Sequence, residues 1–392
     1  MSELMSDLVA LSREYGADPR WVAAGGGNTS LKDGDILYVK ASGHPLATID
    51  AEGFARMDRR KLAAIWEADY PKGGDPSSVA ERERLILADM MAARIPGEER
   101  RPSVETLLHD LLPWPLVVHL HPTLVNGLTC GVDGPAVADE LFGNAVCWIP
   151  VTDPGYVLAG VIRRALDEGS ERGLGTPDFI VLANHGIFVG GADADEVRGK
   201  YRRIHRALEE RLTRRPGAMP ETRSWPADAE ALSAAVRGPF GDQAAWTLLA
   251  GGELEEYLDS PEAARPLTGC LTPDHIVYAG PGAVFIGPTE LDAAGGDGAE
   301  AWRTAAAAYA DRWGKAPNVA VYGGAGGVRG ALVAAKGPKQ LENAVTLLKD
   351  ALGVAAYAES FGGVRLLEER FVRFIVDWEV ENYRSSVAST GS

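Results

Sequence analysis

Cysteine is scarce in this chain. Its 392 residues hold three, Cys130, Cys147 and Cys270, scattered with no paired spacing. That excludes a disulfide framework and a cysteine-based zinc ribbon, and it points to a reducing cytoplasm. Positive charge is also in deficit. Lysine and arginine total 39 against 55 acidic residues, a formal net charge of −16, which argues against nucleic acid or an anionic membrane surface as the main partner. It leaves room for a small anionic substrate in a locally positive pocket. No apolar run is long enough to cross a bilayer, and the polar, acidic start MSELMSDLVALSREYG lacks a secretory signal pattern. Internal repeats and low-complexity tracts are missing too. What remains is an ordinary globular balance, 46% hydrophobic and 24% charged, at a length that suits two domains.

A helix is expected over about 195–214, stopping before Pro216-Gly217, and the Pro-containing polar stretch after it sets a domain boundary near residue 220. The chain thus reads as 1–220 followed by 221–392. The second part alternates strand-like and helix-like runs: HIVYAG, AVFIG, WRTAAAAYADRWG, NVAVYG and QLENAVTLLKDALG.

Histidine is rare as well, with seven in all, yet two stand one residue apart in the β-branched run LVVHLH. On a strand, side chains alternate, so Val117, His119 and His121 share a face. Two imidazoles projecting together are either a chelating pair for a borderline metal such as zinc or a buried, hydrogen-bonded pair. His185, in DFIVLANHGIFVGG, sits where a buried strand meets a turn, and Gly186 would permit a tight backbone there. Three imidazoles with an open fourth position make a catalytic site rather than a structural one. His44 and His275 stand in turn-like contexts, and His205 lies on a basic, solvated helix. His109, one turn after Glu105, reads as a packing or supporting residue.

Two further stretches carry chemistry. In AAGGGNTSLKDGDILYVKASGHPL, the glycines leave backbone N–H groups open to phosphate oxygens, and Asn28, Thr29 and Ser30 add donors. The alternative is a plain hairpin, and the spacing is not that of a P-loop. In RRPSVETLLHDLLP, Ser103 suits an N-cap, placing Glu105 in the first turn of a short helix, as a dipole partner or as a base near the metal.

Together GGGNTS, ASG, PSVE, HLH and NHG resemble the class II aldolase/adducin family of metal-dependent sugar-phosphate aldolases and epimerases. The longer stretches GGGNTSLKDGDILYVKASGHPL, RPSVETLLH, TPDHIVYAGP and DWEVENY look most like the aldolase half of bifunctional rhamnulose-1-phosphate aldolase/alcohol dehydrogenases. Their dehydrogenase half finds no counterpart along these residues. The resemblance implies a three-layer α/β/α domain with a mainly antiparallel central sheet, plus a smaller C-terminal α/β domain. It implies Zn²⁺, or another divalent ion such as Mn²⁺ or Co²⁺, on His119, His121 and His185, with Glu105 as the catalytic acid/base. It implies a phosphate cradle from Asn28, Ser42, Gly43 and Ser103, within a loop region that includes Gly27 and Thr29. It implies retro-aldol cleavage of a ketose phosphate to dihydroxyacetone phosphate and an aldehyde, in a homo-oligomer, usually a tetramer. The family's epimerases and its non-catalytic adducin-like interaction heads are the alternatives. Family aldolases also use a tyrosine on the aldehyde oxygen; Tyr156 and Tyr383 are present without an assignment.

The Gly324-x-Gly326-x-x-x-Gly330 stretch after NVAVYG invites a dinucleotide reading, but its spacing departs from G-x-G-x-x-G and no acidic residue ends a clear following strand. No nicotinamide cofactor is expected.

Overall fold

The computed structural model describes residues 3–224, 230–323 and 329–378. These form two compact units. One takes the chain up to Pro122 and from Pro135 to Glu210; the other takes Thr123–Gly134 and what is described from Arg211 onward.

The first unit is built on a seven-stranded sheet: β1 (Asn28–Asp33), β2 (Ile36–Lys40), β3 (Phe54–Asp58), β4 (Leu116–Leu120), β5 (Val146–Ile149), β6 (Phe179–Leu182) and β7 (Gly186–Gly191), in the order β3-β2-β1-β4-β7-β6-β5. Neighbours run antiparallel except β5 and β6. β1 and β2 are joined by a two-residue turn in which Gly34 has φ +57°, the left-handed conformation a tight hairpin needs.

Strand alternation sorts side chains to two faces. Leu37, Val39, Met57, Val117, Ile180, Leu182 and Phe188 pack with residues of the helices Arg59–Ile65, Pro76–Ala92, Thr106–Leu111 and Tyr156–Glu171. On the other face, Ser12 of the helix Glu3–Gly16 meets Thr29 at 2.7 Å, and Tyr201 of the helix Ala194–Arg211 donates to the Val118 carbonyl at 3.0 Å. The layering is the α/β/α arrangement expected. β4 and β7 are buried at every position, which is why, His119 apart, their sequences are apolar without alternation. Each large side chain buried in this way contributes about 1.5–3 kcal/mol relative to exposure, so two histidines in β4 and just beyond it are an expensive choice unless they are used.

The second unit carries a five-stranded sheet: β8 (Glu221–Arg223), β9 (Ala245–Ala250), β10 (Val284–Ile286), β11 (Val319–Gly323) and β12 (Arg329–Ala335), ordered β10-β11-β12-β9-β8 with only β10 and β11 parallel. It is α/β as expected, on a smaller sheet of five strands. HIVYAG falls in a helix, Pro273–Ala279, and not in a strand. Thr272 at the N-cap position and Pro273 in the first turn start a helix there, which outweighs the β-branched run. Gly330 lies in β12 opposite Tyr322, while Gly324, Gly326 and Tyr383 lie outside the described residues. Among the described residues no helix is long and apolar enough to cross a membrane.

Candidate metal and acid–base site

The register of the sheet assembles the site. Asn28 of β1 stands opposite His119 of β4, and Ser30 opposite Val117, so Asn28, Ser30 and His119 project from one face. β7 supports His119 from the other side. Its Nδ1 lies 3.0 Å from the Ile187 carbonyl. A carbonyl only accepts, so Nδ1 carries a proton, and Nε2 is the atom turned toward His121 and Glu105. The ring also stacks on Phe188, centroids 3.9 Å apart at 12°.

His121 Nε2 lies 2.9 Å from His119 Nε2, and ligand atoms of His119, His121 and His185 all fall within 4.8 Å of one another. Two imidazole nitrogens at about 2.0–2.1 Å from a tetrahedral zinc stand about 3.3 Å apart. The donor set therefore fits one divalent ion with only small ring movements. His185 reaches this point from the turn between β6 and β7. There Asn184, with φ +53°, and not Gly186 takes the left-handed conformation. Gly186 has a different duty: a Cβ on it would stand 2.5 Å from the Leu120 carbonyl oxygen and 2.6 Å from His121 Cδ2.

Glu105 closes the cluster. Its Oε1 lies 3.3 Å from His119 Nε2 and 3.7 Å from His185 Nε2, and its Oε2 accepts from Asn28 Nδ2 at 2.5 Å. Burial pushes the carboxyl up, but the imidazoles of His119 and His185 outweigh it and hold the group well below the usual carboxylate range. Glu105 occupies the N-cap position of the helix Thr106–Leu111 rather than its first turn. Ser103, expected as the cap, accepts from the Glu105 N–H at 3.2 Å. One turn on, His109 Nδ1 meets Ser30 Oγ at 2.8 Å, tying this helix to β1. Burial pushes the His109 imidazole down to about 3, so it is neutral near pH 7.

The residues expected around phosphate divide. An isolated bridge pairs Ala41 with Pro102, and Ser42 N–H donates to the Arg101 carbonyl at 2.8 Å, so the segment of Ser42 and Gly43 runs against the one that leads through Ser103 to Glu105. Gly43 has φ +87° and Gly27 φ +76°, and a Cβ on Gly27 would stand 3.1 Å from the His119 carbonyl oxygen. Lys40 is buried, and its charge bears on both His44 and His109. Thr29 does not join them. It points through the opposite face to Ser12, as strand alternation requires of a residue between Asn28 and Ser30. Tyr156 is engaged elsewhere, stacked on Trp66 with centroids 5.3 Å apart.

The profile described as Class II Aldolase and Adducin N-terminal domain matches residues 6–212. The chain belongs to that family. It is 24% identical over 297 residues to the uncharacterized oxidoreductase YuxG of Bacillus subtilis (strain 168), a match covering 70% of this chain and 41% of that protein; the chain thus spans about two fifths of this curated relative. Among solved structures it is similar to the N-terminal class II aldolase domain of a conserved protein from Thermoplasma acidophilum, at 29% identity over 53% of this chain and 93% of that one, TM-score 0.44. It is also similar to an L-fuculose 1-phosphate aldolase, at 16% identity over 54% of this chain and 85% of that one, TM-score 0.36.

Proposed function

We propose that the chain is a metal-dependent sugar-phosphate aldolase, cleaving a ketose phosphate to dihydroxyacetone phosphate and an aldehyde. The carrying observation is the placement of the Glu105 carboxylate 3.3 and 3.7 Å from two of three converging imidazoles, with Asn28 on its other oxygen. His119, His121 and His185 would hold a divalent ion, with zinc, manganese or cobalt suited to the donors. When bound, such an ion supplies Lewis-acid stabilisation of the negative charge that develops on the ketose oxygens as the carbon–carbon bond breaks.

The chain's own residues supply the rest. Glu105 moves the proton at the reacting carbon, ionised and aimed by Asn28. Ser42, Gly43 and Ser103 bind the phosphate, aided by the cation of Lys40, which anchors the substrate away from the bond being cleaved. The protein acts in the cytoplasm as a homo-oligomer, a tetramer by preference. A single-chain mass by light scattering at micromolar concentration would contradict the assembly.

The test is a panel of ketose 1-phosphates and pentulose 5-phosphates, headed by rhamnulose 1-phosphate on the strength of the sequence resemblance. Dihydroxyacetone phosphate should appear with at least one member and vanish with E105Q. An epimer formed without dihydroxyacetone phosphate would make the protein an epimerase. No turnover and no bound metal would make it an adducin-like interaction protein.

A further inference from the structure

The helix that follows Glu105 is joined to β1 by two side-chain bonds. Asn28 Nδ2 donates to Glu105 Oε2 at 2.5 Å, and Ser30 Oγ lies 2.8 Å from His109 Nδ1. The His109 N–H donates to the Glu105 carbonyl at 3.0 Å, so one closed helical turn separates the two bonds. The spacings match. Two residues along a strand advance about 6.6–6.8 Å, and four residues along a helix advance about 6.0 Å. Asn28 and Ser30 share a face of β1, and Glu105 and His109 share a side of the helix. Strand and helix are thus pinned at two points in register.

The two bonds differ in what lies around them. The Glu105 carboxylate stands among the three histidines. Ser30 and His109 are both fully buried. The His109 ring meets Phe188 edge-on, centroids 5.5 Å apart, while the same Phe188 stacks on His119.

Stability does not account for the buried imidazole. His109 Nε2 is buried and has no hydrogen-bond partner among the described residues. Either tautomer leaves a donor or an acceptor unsatisfied there, a cost that an apolar side chain of the same size would avoid. What the imidazole supplies is a directional bond to Ser30. Other holds on this helix are less specific. Leu107 and Leu108 pack into the core through contacts that have no direction. Asp110 pairs with Arg59, whose side chain is 35% exposed, and exposed pairs contribute little.

We propose that Ser30 and His109 are positioning residues for Glu105. Their bond fixes the roll of the helix on β1 and so aims the Glu105 carboxylate at His119 and Asn28. The inference rests on the reading of Glu105 as the acid/base beside a three-histidine metal site, and the role is exerted through Glu105 alone.

Two measurements test it, with near-ultraviolet circular dichroism as the check on folding. In the first, apo protein is titrated with Co²⁺ alone and the visible d–d bands are recorded for the wild-type protein, E105Q, S30A and H109F. The bands of S30A and H109F should move from those of the wild-type protein toward those of E105Q. In the second, kcat and KM are measured on whichever ketose phosphate the wild-type protein cleaves. S30A should lower kcat by about 10–100-fold, the usual consequence of a catalytic group losing its support, with KM little changed. Combined with E105Q, S30A should lower kcat no further, because both changes act through one carboxylate. Wild-type bands in S30A and H109F, or losses that add in the double variant, would overturn the inference while leaving the role of Glu105 intact. E105Q with the bands and turnover of the wild-type protein would overturn the role of Glu105, and the inference with it.

Discussion

Gly186→Ala adds one methyl group and removes no candidate ligand, yet it should disable the metal cluster. The added Cβ would stand 2.5 Å from the Leu120 carbonyl oxygen, 2.6 Å from His121 Cδ2 and 3.4 Å from His119 Cε1. Carbon atoms rest about 3.5–4.0 Å apart, so something must give by about 1 Å. The Leu120 carbonyl belongs to the β4–β7 pairing, where Leu120 stands opposite Ile187, and cannot retreat without opening the ladder. The His121 ring is the softer neighbour. A metal site tolerates about 0.2 Å in its ligand distances, so a 1 Å displacement exceeds that several-fold. Overpacking of this kind costs about 1–3 kcal/mol, which for a body of this size lowers the melting temperature by about 2–4 °C for each kcal/mol. Metal affinity should fall by about 10–100-fold, as when a metal ligand loses its support. Chelator competition and a thermal melt on the same preparation read both quantities. Wild-type affinity together with a wild-type melting temperature would mean that the added methyl group is accommodated and that β4 does not require glycine here.

Three more outcomes are expected. Glu105→Gln should lower turnover by about 10²–10⁴-fold, the usual contribution of general acid/base catalysis, with metal content unchanged by elemental analysis. Asn28→Ala removes a donor from the ionised Glu105 carboxylate, which raises that group's pKa; the acidic limb of the kcat/KM profile should move to higher pH. His109 is neutral in the folded protein, with its imidazole pushed down to about 3, whereas unfolded histidine titrates near 6.5. The unfolded chain therefore takes up a proton first. The stability tied to this group is complete above about pH 6.5 and is lost at about 1.4 kcal/mol per pH unit as pH falls toward about 3. Between pH 7 and 5, denaturant unfolding should show the wild-type protein losing about 2 kcal/mol more than His109→Gln.

Much of the cluster was legible because strand periodicity is simple. His119 and His121 had to share a face, and a third histidine at a strand end had to point along it. The same periodicity sends Thr29 away from Asn28 to meet Ser12, because β1 begins at Asn28 inside the Gly-rich stretch and not after it. Local sequence suggests a turn duty for Gly186, but close approach of β4, which no local pattern reveals, is what requires it. Asn184 takes the strained turn position. The helix over Ala194–Arg211 was visible in its periodicity, ending three residues earlier than expected. The Thr123–Gly134 segment was not visible as part of the second unit. Contiguous composition argues for contiguous domains, and only the packing of Gly127 against Tyr357 and of Gly353 against Thr123, with the bond from Thr123 to Asp350, shows where that segment belongs.

On the proposed reading, His119, His121 and His185 hold one divalent ion. Elemental analysis of the purified wild-type protein beside His119→Ala, after equilibration with Zn²⁺ and removal of loosely bound ion, tests it most directly. One ion per chain is expected in the wild-type protein, and loss of the ion in the variant, which remains folded. Equal metal content in the two, or none in either, would contradict it.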